Sequence, residues 1–354
     1  MKKALIAMSG GVDSSVAAYL MKQSEYDCIG VTMKLFHNED IGIEYKKTCC
    51  SLNDVEDAKS VAFRLGMSHY TFNFTNHFAE KVIQPFISAY ESGRTPNPCI
   101  DCNRYLKFDA LYHRAEILEC EKIATGHYAR IVNGNGRFIL KKAVDLSKDQ
   151  SYVLYAMTQE QLAHTVFPCG ELEKSEIRKI AEKQGFFNAD KPDSQDICFV
   201  PDGNYSAFIE QYSGKKYPVG NFIDRNGTVL GQHKGIIHYT IGQRKGLGIS
   251  ARNPLYVCGI DILDNAVILG ESRELLSCDL NAVDFNWIAF DTPPEKFRAK
   301  AKIRYHHEEQ WAEINVIGEK NVHIRFDEPQ RAITKGQAVV LYDGEIVLGG
   351  GIIN

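Results

Sequence analysis

Ser9-Gly10-Gly11-Val12-Asp13-Ser14-Ser15 decides how this chain is read, because of what flanks it. Ala4-Leu5-Ile6-Ala7-Met8 is a short apolar run of the kind that forms a buried parallel strand, and Val16 to Lys22 begin an amphipathic helix. At such a junction two glycines let backbone amides close around an anion, and the helix N-terminus adds unpaired N–H donors. Ser9, Ser14 and Ser15 add hydroxyls. Asp13 suits an anion cradle only if it sets the loop or helps hold the metal that accompanies a triphosphate. No G-x-x-x-x-G-K-[ST] pattern is present, so this is not the common P-loop. An ordinary Gly-Gly turn capped by Ser or Asp is the competing reading; position at the first strand–helix junction favours a nucleotide.

At 354 residues, two or three domains are expected, and 44% apolar with 24% charged residues is the balance of a soluble globular chain. The first apolar run breaks at Ser9-Gly10-Gly11, too soon for a secretory leader, and no apolar stretch approaches a bilayer span. The expectation is a cytoplasmic protein with no membrane partner and ten mostly reduced cysteines. Clustered cysteines then point to catalysis or metal. A net charge of −4 gives no general attraction to nucleic acid. Locally, Arg298, Lys300, Lys302 and Arg304 alternate with Phe297, Ala299, Ala301 and Ile303, which puts four cations on one strand face. A solvated face and a nucleic-acid surface are equal readings of that pattern.

The first half alternates strand and helix. Further strands are expected at Cys28–Met33, His69–Phe74 and Lys122–Thr125. Helices are expected from a Ser51/Asp54 capping box to Leu65, over Phe78–Ser92 with a break at Pro85, and over Tyr105–Leu118. Repeated β-α-β units imply a doubly wound parallel sheet with ligand at the strands' carboxyl ends, where Ser9, Met33 and Thr125-Gly126-His127 fall. Asn133-Gly134-Asn135-Gly136 reads as a hairpin turn, and helices return at Thr158–Ala163 and Lys174–Gln184. The expected division is a catalytic α/β domain over residues 1–200, a small mainly β domain over 201–276 and an antiparallel β-barrel over 277–354.

Thr95-Pro96-Asn97-Pro98-Cys99-Ile100-Asp101-Cys102-Asn103-Arg104 places a C-x-x-C just before a helix. A helix N-terminus and Arg104 would both favour thiolate. Structural zinc needs four ligands, and adjacent Cys49-Cys50 copies C-x-x-C geometry poorly. A thioredoxin-like pair would sit in a much smaller domain. A nucleophilic or sulfur-handling pair fits the nucleotide loop best. Cys198, in Ser194-Gln195-Asp196-Ile197-Cys198-Phe199, reads locally as a small buried hydrophobe.

Taken together these motifs carry a resemblance. SGGVDS resembles the pyrophosphatase loop (PP-loop) of adenine nucleotide hydrolase-like enzymes, which cleave ATP between its α- and β-phosphates. With the NPCxxCN segment, Thr125 to Arg130, Lys148 to Tyr152, Ser194 to Phe199, Tyr239 to Gly248 and the closing glycines, the chain resembles the tRNA-specific 2-thiouridylases over essentially its whole length. That resemblance implies an ATP-dependent sulfurtransferase that adenylates the 2-oxygen of the wobble uridine and replaces it by sulfur. It implies ATP binding, with Mg2+, at Ala7, Met8, Ser9, Gly10, Gly11, Val12, Asp13, Ser14, Met33 and Gly126. Cys102 falls at the family's nucleophile and Cys198 at its persulfide carrier. Asn97, Pro98 and Cys99 fall at the target base; His127, Lys148, Asp149, Gln150, Arg304, Tyr305 and Gln337 fall at tRNA contacts. The implied partners are tRNA and a persulfide donor protein or cysteine desulfurase.

Cys99 stands where many members carry an acid, so a proton donor must be Asp101, a water or absent. The extra thiols also open an iron–sulfur reading through Cys99, Cys102 and Cys198. If sulfur passes between Cys102 and Cys198, their Cα atoms must come within roughly 4.4–6.8 Å in some state, so a mobile segment around Cys198 is expected. Tyr128 or Tyr152 is available to stack on the flipped base. The rival functions are a ligase activating a small carboxylate or carbonyl, and a non-catalytic tRNA-binding or redox-sensing protein.

Overall fold

The computed structural model describes residues 2–24, 26–37, 52–134, 136–192 and 197–354. The N-terminal apolar run is β1 (Lys3–Ala7), whose side chains divide between two cores. Leu5 joins Val31, Ile123, Phe78 and Leu106, whereas Ala4 and Ile6 join Val16, Ala58 and Ile177. Burial on both faces is why the run shows no polar alternation. Next come β2 (Asp27–Lys34), β3 (Ser68–Asn73), β4 (Lys122–Thr125), β5 (Ala129–Gly134), β6 (Arg137–Lys142) and β7 (Thr165–Val166). Strands β3-β2-β1-β4-β7 form one parallel sheet in that order, with Ala7 opposite Val31 on one side and Thr125 on the other. The order reverses at β1, and the crevice at the carboxyl ends of β1, β2 and β4 is the binding position such a sheet provides. The expected doubly wound architecture is present.

Helix α1 (Val12–Gln23) buries Val12, Ser14, Ser15, Val16, Ala17, Ala18 and Met21. It is sunk between the sheet and the helix Lys174–Lys183, more deeply than an amphipathic surface helix would be. Around Pro85 the expected break is an insertion: α-helix Thr75–Phe78, π-helix Ala79–Ile83, then α-helix Gln84–Glu91 with the proline in its first turn. A residue with no N–H is accommodated where one turn widens.

The helix expected from Tyr105 begins instead at Pro98, because a proline at the first helical position is pre-set for the helix and Asn97 caps it. Asn97 Oδ1 accepts from the Cys99 amide at 3.1 Å. The helix is α over Pro98–Asp101, π over Cys102–Ala110 and α again over Leu111–Ile117. The C-x-x-C therefore lies inside its first turns. Cys49, Cys50, Ser51, Asn135, Asp193, Ser194, Gln195 and Asp196 lie outside the described residues, and with them the Ser51 cap.

After Val200 a helix that the mainly β reading did not include, Tyr205–Ser213, runs between the Asn204 cap and a left-handed Gly214. It precedes β8 (Gly220–Ile223), β9 (Val229–His233), β10 (Tyr256–Asp261) and β11 (Ala266–Gly270), a sheet ordered β10-β11-β8-β9. Phe208, Phe222, Val257 and Val267 continue the core that contains Phe78 and Leu106. The barrel consists of β12 (Leu276–Trp287), β13 (Lys296–Lys302), β14 (Gln310–Val316), β15 (Val322–Arg331), β16 (Ala338–Asp343) and β17 (Ile346–Ile353). These strands pair in the ring β12-β15-β14-β13-β16-β17, closed by β17 on β12. The β5–β6 hairpin leaves the parallel sheet and adds to this barrel at β17, with Ile346 opposite Lys141.

The alternation in β13 is as read: Ala299 and Ala301 are buried, while Arg298 and Lys300 lie outside over the Trp311 ring, each 5.7 Å from its centroid. Arg298 also pairs with Asp327. Arg304 does not extend the row. β13 ends at Lys302, and the Arg304 guanidinium turns inward to Ala332 O at 2.9 Å and Thr334 Oγ1 at 2.7 Å. Among the described residues no helix is long and apolar enough to cross a membrane.

Candidate active site

The crevice holds a cavity of about 340 Å³. Its walls are Ala7, Met8, Ser9, Asp13 and Ser14 from the first loop, and Val31, Thr32 and Met33 from β2. The Pro98 helix supplies Pro98, Cys99, Cys102 and Lys107; Thr125, Gly126 and His127 follow β4; Gln150 and Ile197-Cys198-Phe199 complete it. Two cysteines far apart in sequence, Cys102 and Cys198, thus face one space.

The glycine-rich loop is built by exclusion. Gly10 has φ +75°, and a Cβ there would lie 2.4 Å from the Asp54 carbonyl oxygen. A Cβ on Gly126 would lie 2.7 Å from the Ser14 backbone nitrogen, so the two loops touch backbone to backbone. The Ser9 amide donates to Ser14 Oγ at 3.1 Å, and Asn188 Nδ2 donates to Gly10 O at 3.0 Å and Ser15 Oγ at 2.9 Å. Asp13 does the loop-setting task. Its carboxylate takes Lys174 Nζ at 2.7 and 2.9 Å and the Tyr128 hydroxyl at 2.6 Å. Gly10, Gly11 and Val12 shape the loop behind the wall and are not among the lining residues.

Lys174→Met should therefore destabilise the fold by about 1–3 kcal/mol, since it strands a half-buried carboxylate. Adding Asp13→Asn should restore part of that loss. A guanidinium melt checks this; a double variant no more stable than the single one would show that the ion pair is incidental.

Cys102 is buried, and its burial pushes the thiol pKa up, opposed by Lys107 and reinforced by Asp101. The expected help from Arg104 is absent, because Arg104 is turned to Asp284 at 2.6 Å. Burial outweighs the helix N-terminus once the helix starts before the motif instead of after it. Asp101 is pushed up to about 6, mainly by burial, with Arg104 opposing and Asp284 reinforcing, yet it does not line the cavity. Cys198 is half-buried and packs on the core that contains Cys102, beside Phe199, whose ring lies 5.5 Å from Phe78 and 5.3 Å from Phe86. No disulfide joins the described cysteines, and among the described residues no group of three or more His, Cys, Asp or Glu side chains is arranged to hold a metal.

The residues matched to tRNA and base contacts divide. Pro98, Cys99, His127 and Gln150 line the cavity. Asn97, Lys148, Asp149, Arg304, Tyr305 and Gln337 do not. Several of these join the barrel to the catalytic domain: Tyr305 OH donates to Asp149 O at 3.1 Å, and Gln337 Nε2 donates to Thr95 O at 2.8 Å. The Asp149 carboxylate is taken by the Ala143 amide and the Ser151 hydroxyl. Neither tyrosine offered for base stacking is accessible. Tyr128 is 2% exposed and bound to Asp13, and Tyr152 is fully buried with its hydroxyl on Ala338 O. His127 is buried, and desolvation, aided by Lys107, holds its pKa well below the usual range. Lys107, Thr32, Lys174 and Asn188 were not singled out from sequence; only Lys107, one wide turn from Cys102, had a local sign.

Residues 2–202 match the family described as tRNA methyl transferase HUP domain, 206–271 the tRNA methyl transferase PRC-barrel domain, and 277–353 the aminomethyltransferase beta-barrel domain. The chain is similar to the tRNA-specific 2-thiouridylase MnmA of Clostridium acetobutylicum, 52% identical over 352 residues and 99% of each chain. It is equally similar to the protein of that name from Clostridioides difficile, 52% identical over 354 residues, 99% of this chain and 98% of the other.

Proposed function

This chain belongs to the tRNA-specific 2-thiouridylase family, and from that premise we propose how its residues divide the reaction. It is an ATP-dependent sulfurtransferase that acts on tRNA and replaces the 2-oxygen of the wobble uridine by sulfur. The observation that carries this reading is that the glycine-rich loop, Cys102 and Cys198 line one cavity. Methyl transfer, which the family descriptions mention, would call for no such pair of thiols.

A uridine carbonyl is a poor electrophile with a poor leaving group. Adenylation of its oxygen, with release of pyrophosphate, makes AMP the leaving group. Ala7 to Ser14, Met33 and Gly126 would hold the ATP, the loop amides and the α1 N-terminus facing its phosphates. Asp13, the carboxylate on the cavity wall, is held by Lys174 and Tyr128, so Mg2+ would arrive on the phosphates and water of its substrate complex. Asn97, Pro98 and Cys99 would receive the base, and the loops near Lys148, Gln150, Arg304, Tyr305 and Gln337 would carry the anticodon arm.

Cys198 would receive sulfane sulfur from a donor protein or cysteine desulfurase. In one route its terminal sulfur attacks C2, AMP leaves, and Cys102 then attacks Cys198 Sγ to free the thiouridine. In the other, Cys102 attacks Cys198 Sγ first and expels sulfide, which attacks C2. Either way two thiols become a disulfide as sulfane sulfur is reduced, and a thiol reductant resets the enzyme. What supports the persulfide route is that Cys102 and Cys198 line one cavity with the glycine-rich loop.

Incubating the protein with tRNA, ATP and a cysteine desulfurase, then analysing nucleosides by mass spectrometry, should give 2-thiouridine and stoichiometric AMP. AMP formation on a small carboxylate without tRNA would favour the ligase alternative.

A further inference from the structure

We propose that Lys107 is the counter-ion for the sulfur anions formed at Cys102, brought toward that thiol by the π-wound turn that starts there. Lys107 stands five residues after Cys102. In an α-helix, at about 100° per residue, it would lie about 140° round the axis, facing elsewhere. The helix is instead π-wound from Cys102 to Ala110, and the wider i→i+5 turn brings residue 107 round toward the side of residue 102. Both side chains line the cavity. Insertions of this kind are poor local geometry and concentrate where they serve function.

The surrounding charges leave this task to Lys107. Among the described residues it is the one lysine or arginine lining the cavity. Arg104, on the same helix, is held by Asp284, and Asp13, from the first loop, is neutralised by Lys174. Asp101 lies on the same helix off the cavity wall, and among the described residues Cys99 and Cys198 are the other thiols facing the space. His127, after β4, is buried and held neutral; its Nε2 lies 3.5 Å from Lys107 Nζ and its Nδ1 2.7 Å from Thr125 Oγ1. Because an ammonium only donates, Nε2 accepts and Nδ1 carries the proton, so His127 positions Lys107. Lys107 also opposes the burial that disfavours the Cys102 thiolate.

The inference rests on the sulfur-transfer reading above. When Cys102 thiolate attacks Cys198 Sγ, the new S–S bond forms as the persulfide bond breaks. Negative charge moves from Cys102 to the departing sulfide. A cation on the wall of the cavity that both cysteines line stabilises charge that would otherwise be carried in a desolvated pocket.

The test is alkylation of Cys102 in the folded protein at neutral pH with neutral iodoacetamide and anionic iodoacetate. Fragment-ion mass spectrometry separates Cys102 from Cys99 in their shared tryptic peptide. Lys107→Met and Lys107→Gln should slow iodoacetamide by about tenfold, the effect of one unit in thiol pKa, and iodoacetate by more. Lys107→Arg should stay within a few-fold of the unchanged protein. Equal slowing by both reagents in all three variants would mean a collapsed pocket and overturn the proposal. So would unchanged alkylation beside weakened ATP binding, which would make Lys107 a phosphate ligand. The assay needs no tRNA, so failure of 2-thiouridine formation by the unchanged protein tests the functional reading separately.

Discussion

Serine at Cys102 is expected to lower tRNA thiolation by at least about 10³-fold, and serine at Cys198 by as much, with tRNA affinity within a few-fold of the unchanged chain. A hydroxyl cannot carry sulfane sulfur, so Cys198→Ser removes the carrier. Cys102→Ser leaves the carrier intact but removes the thiol that cleaves its bond, so sulfane sulfur should be trapped on Cys198, as the persulfide or as its disulfide with the thiolated base. The glycine-rich loop is untouched in both, so adenylation and a first round of pyrophosphate release should persist. A buried serine at Cys102 costs about 1–3 kcal/mol, enough to lower the melting temperature by a few degrees without unfolding a chain of this size. The readouts are nucleoside mass spectrometry, a gel-shift titration and persulfide-specific labelling. Thiolation that survives Cys198→Ser with a cysteine desulfurase as donor would falsify the two-thiol reading.

Gly126→Ala should slow AMP formation by about 10²-fold while leaving tRNA binding measurable. Its Cβ would sit 2.7 Å from Ser14 N and 2.8 Å from the Asp13 carbonyl carbon, closer than real Cβ atoms approach backbone. Neither neighbour is the far end of a flexible side chain. The loop must therefore move bodily, and with it the amides that would face the phosphates. Misplacing such a group by about 1 Å costs on the order of 10²-fold in rate. Pyrophosphate release measured with saturating tRNA is the check. An alanine variant that forms AMP at the unchanged rate would place the nucleotide elsewhere in the cavity.

Local pattern carried the sheet. Ala4–Met8 and Lys122–Thr125 are buried on both sides, and such runs have few other uses in a chain that alternates strand and helix. It failed where distant contacts rule. The helix expected from Tyr105 starts at Pro98 because Asn97 caps it, and that shift buried Cys102 and changed its electrostatics. Asp13 looked misplaced because its partner, Lys174, lies far along the chain with nothing in its own neighbourhood to mark it. Arg304 fitted a periodicity of two that ended before reaching it, since the pairing of β13 with β16 stops at Lys302. The meeting of Cys102 and Cys198 at one cavity came from resemblance; local sequence offered only an inert hydrophobe at Cys198.

The β5–β6 hairpin has a consequence for how the protein can be taken apart. Leu140, Tyr152 and Leu154 share a core with Val340, Tyr342 and Val347, and the Lys142 amide donates to Glu345 O at 2.8 Å. A fragment trimmed at the end of the nucleotide half would shed that apolar cover and bare a sticky ribbon. Modular evolution or engineering that swaps the tail must therefore transplant the ribbon's partner with it.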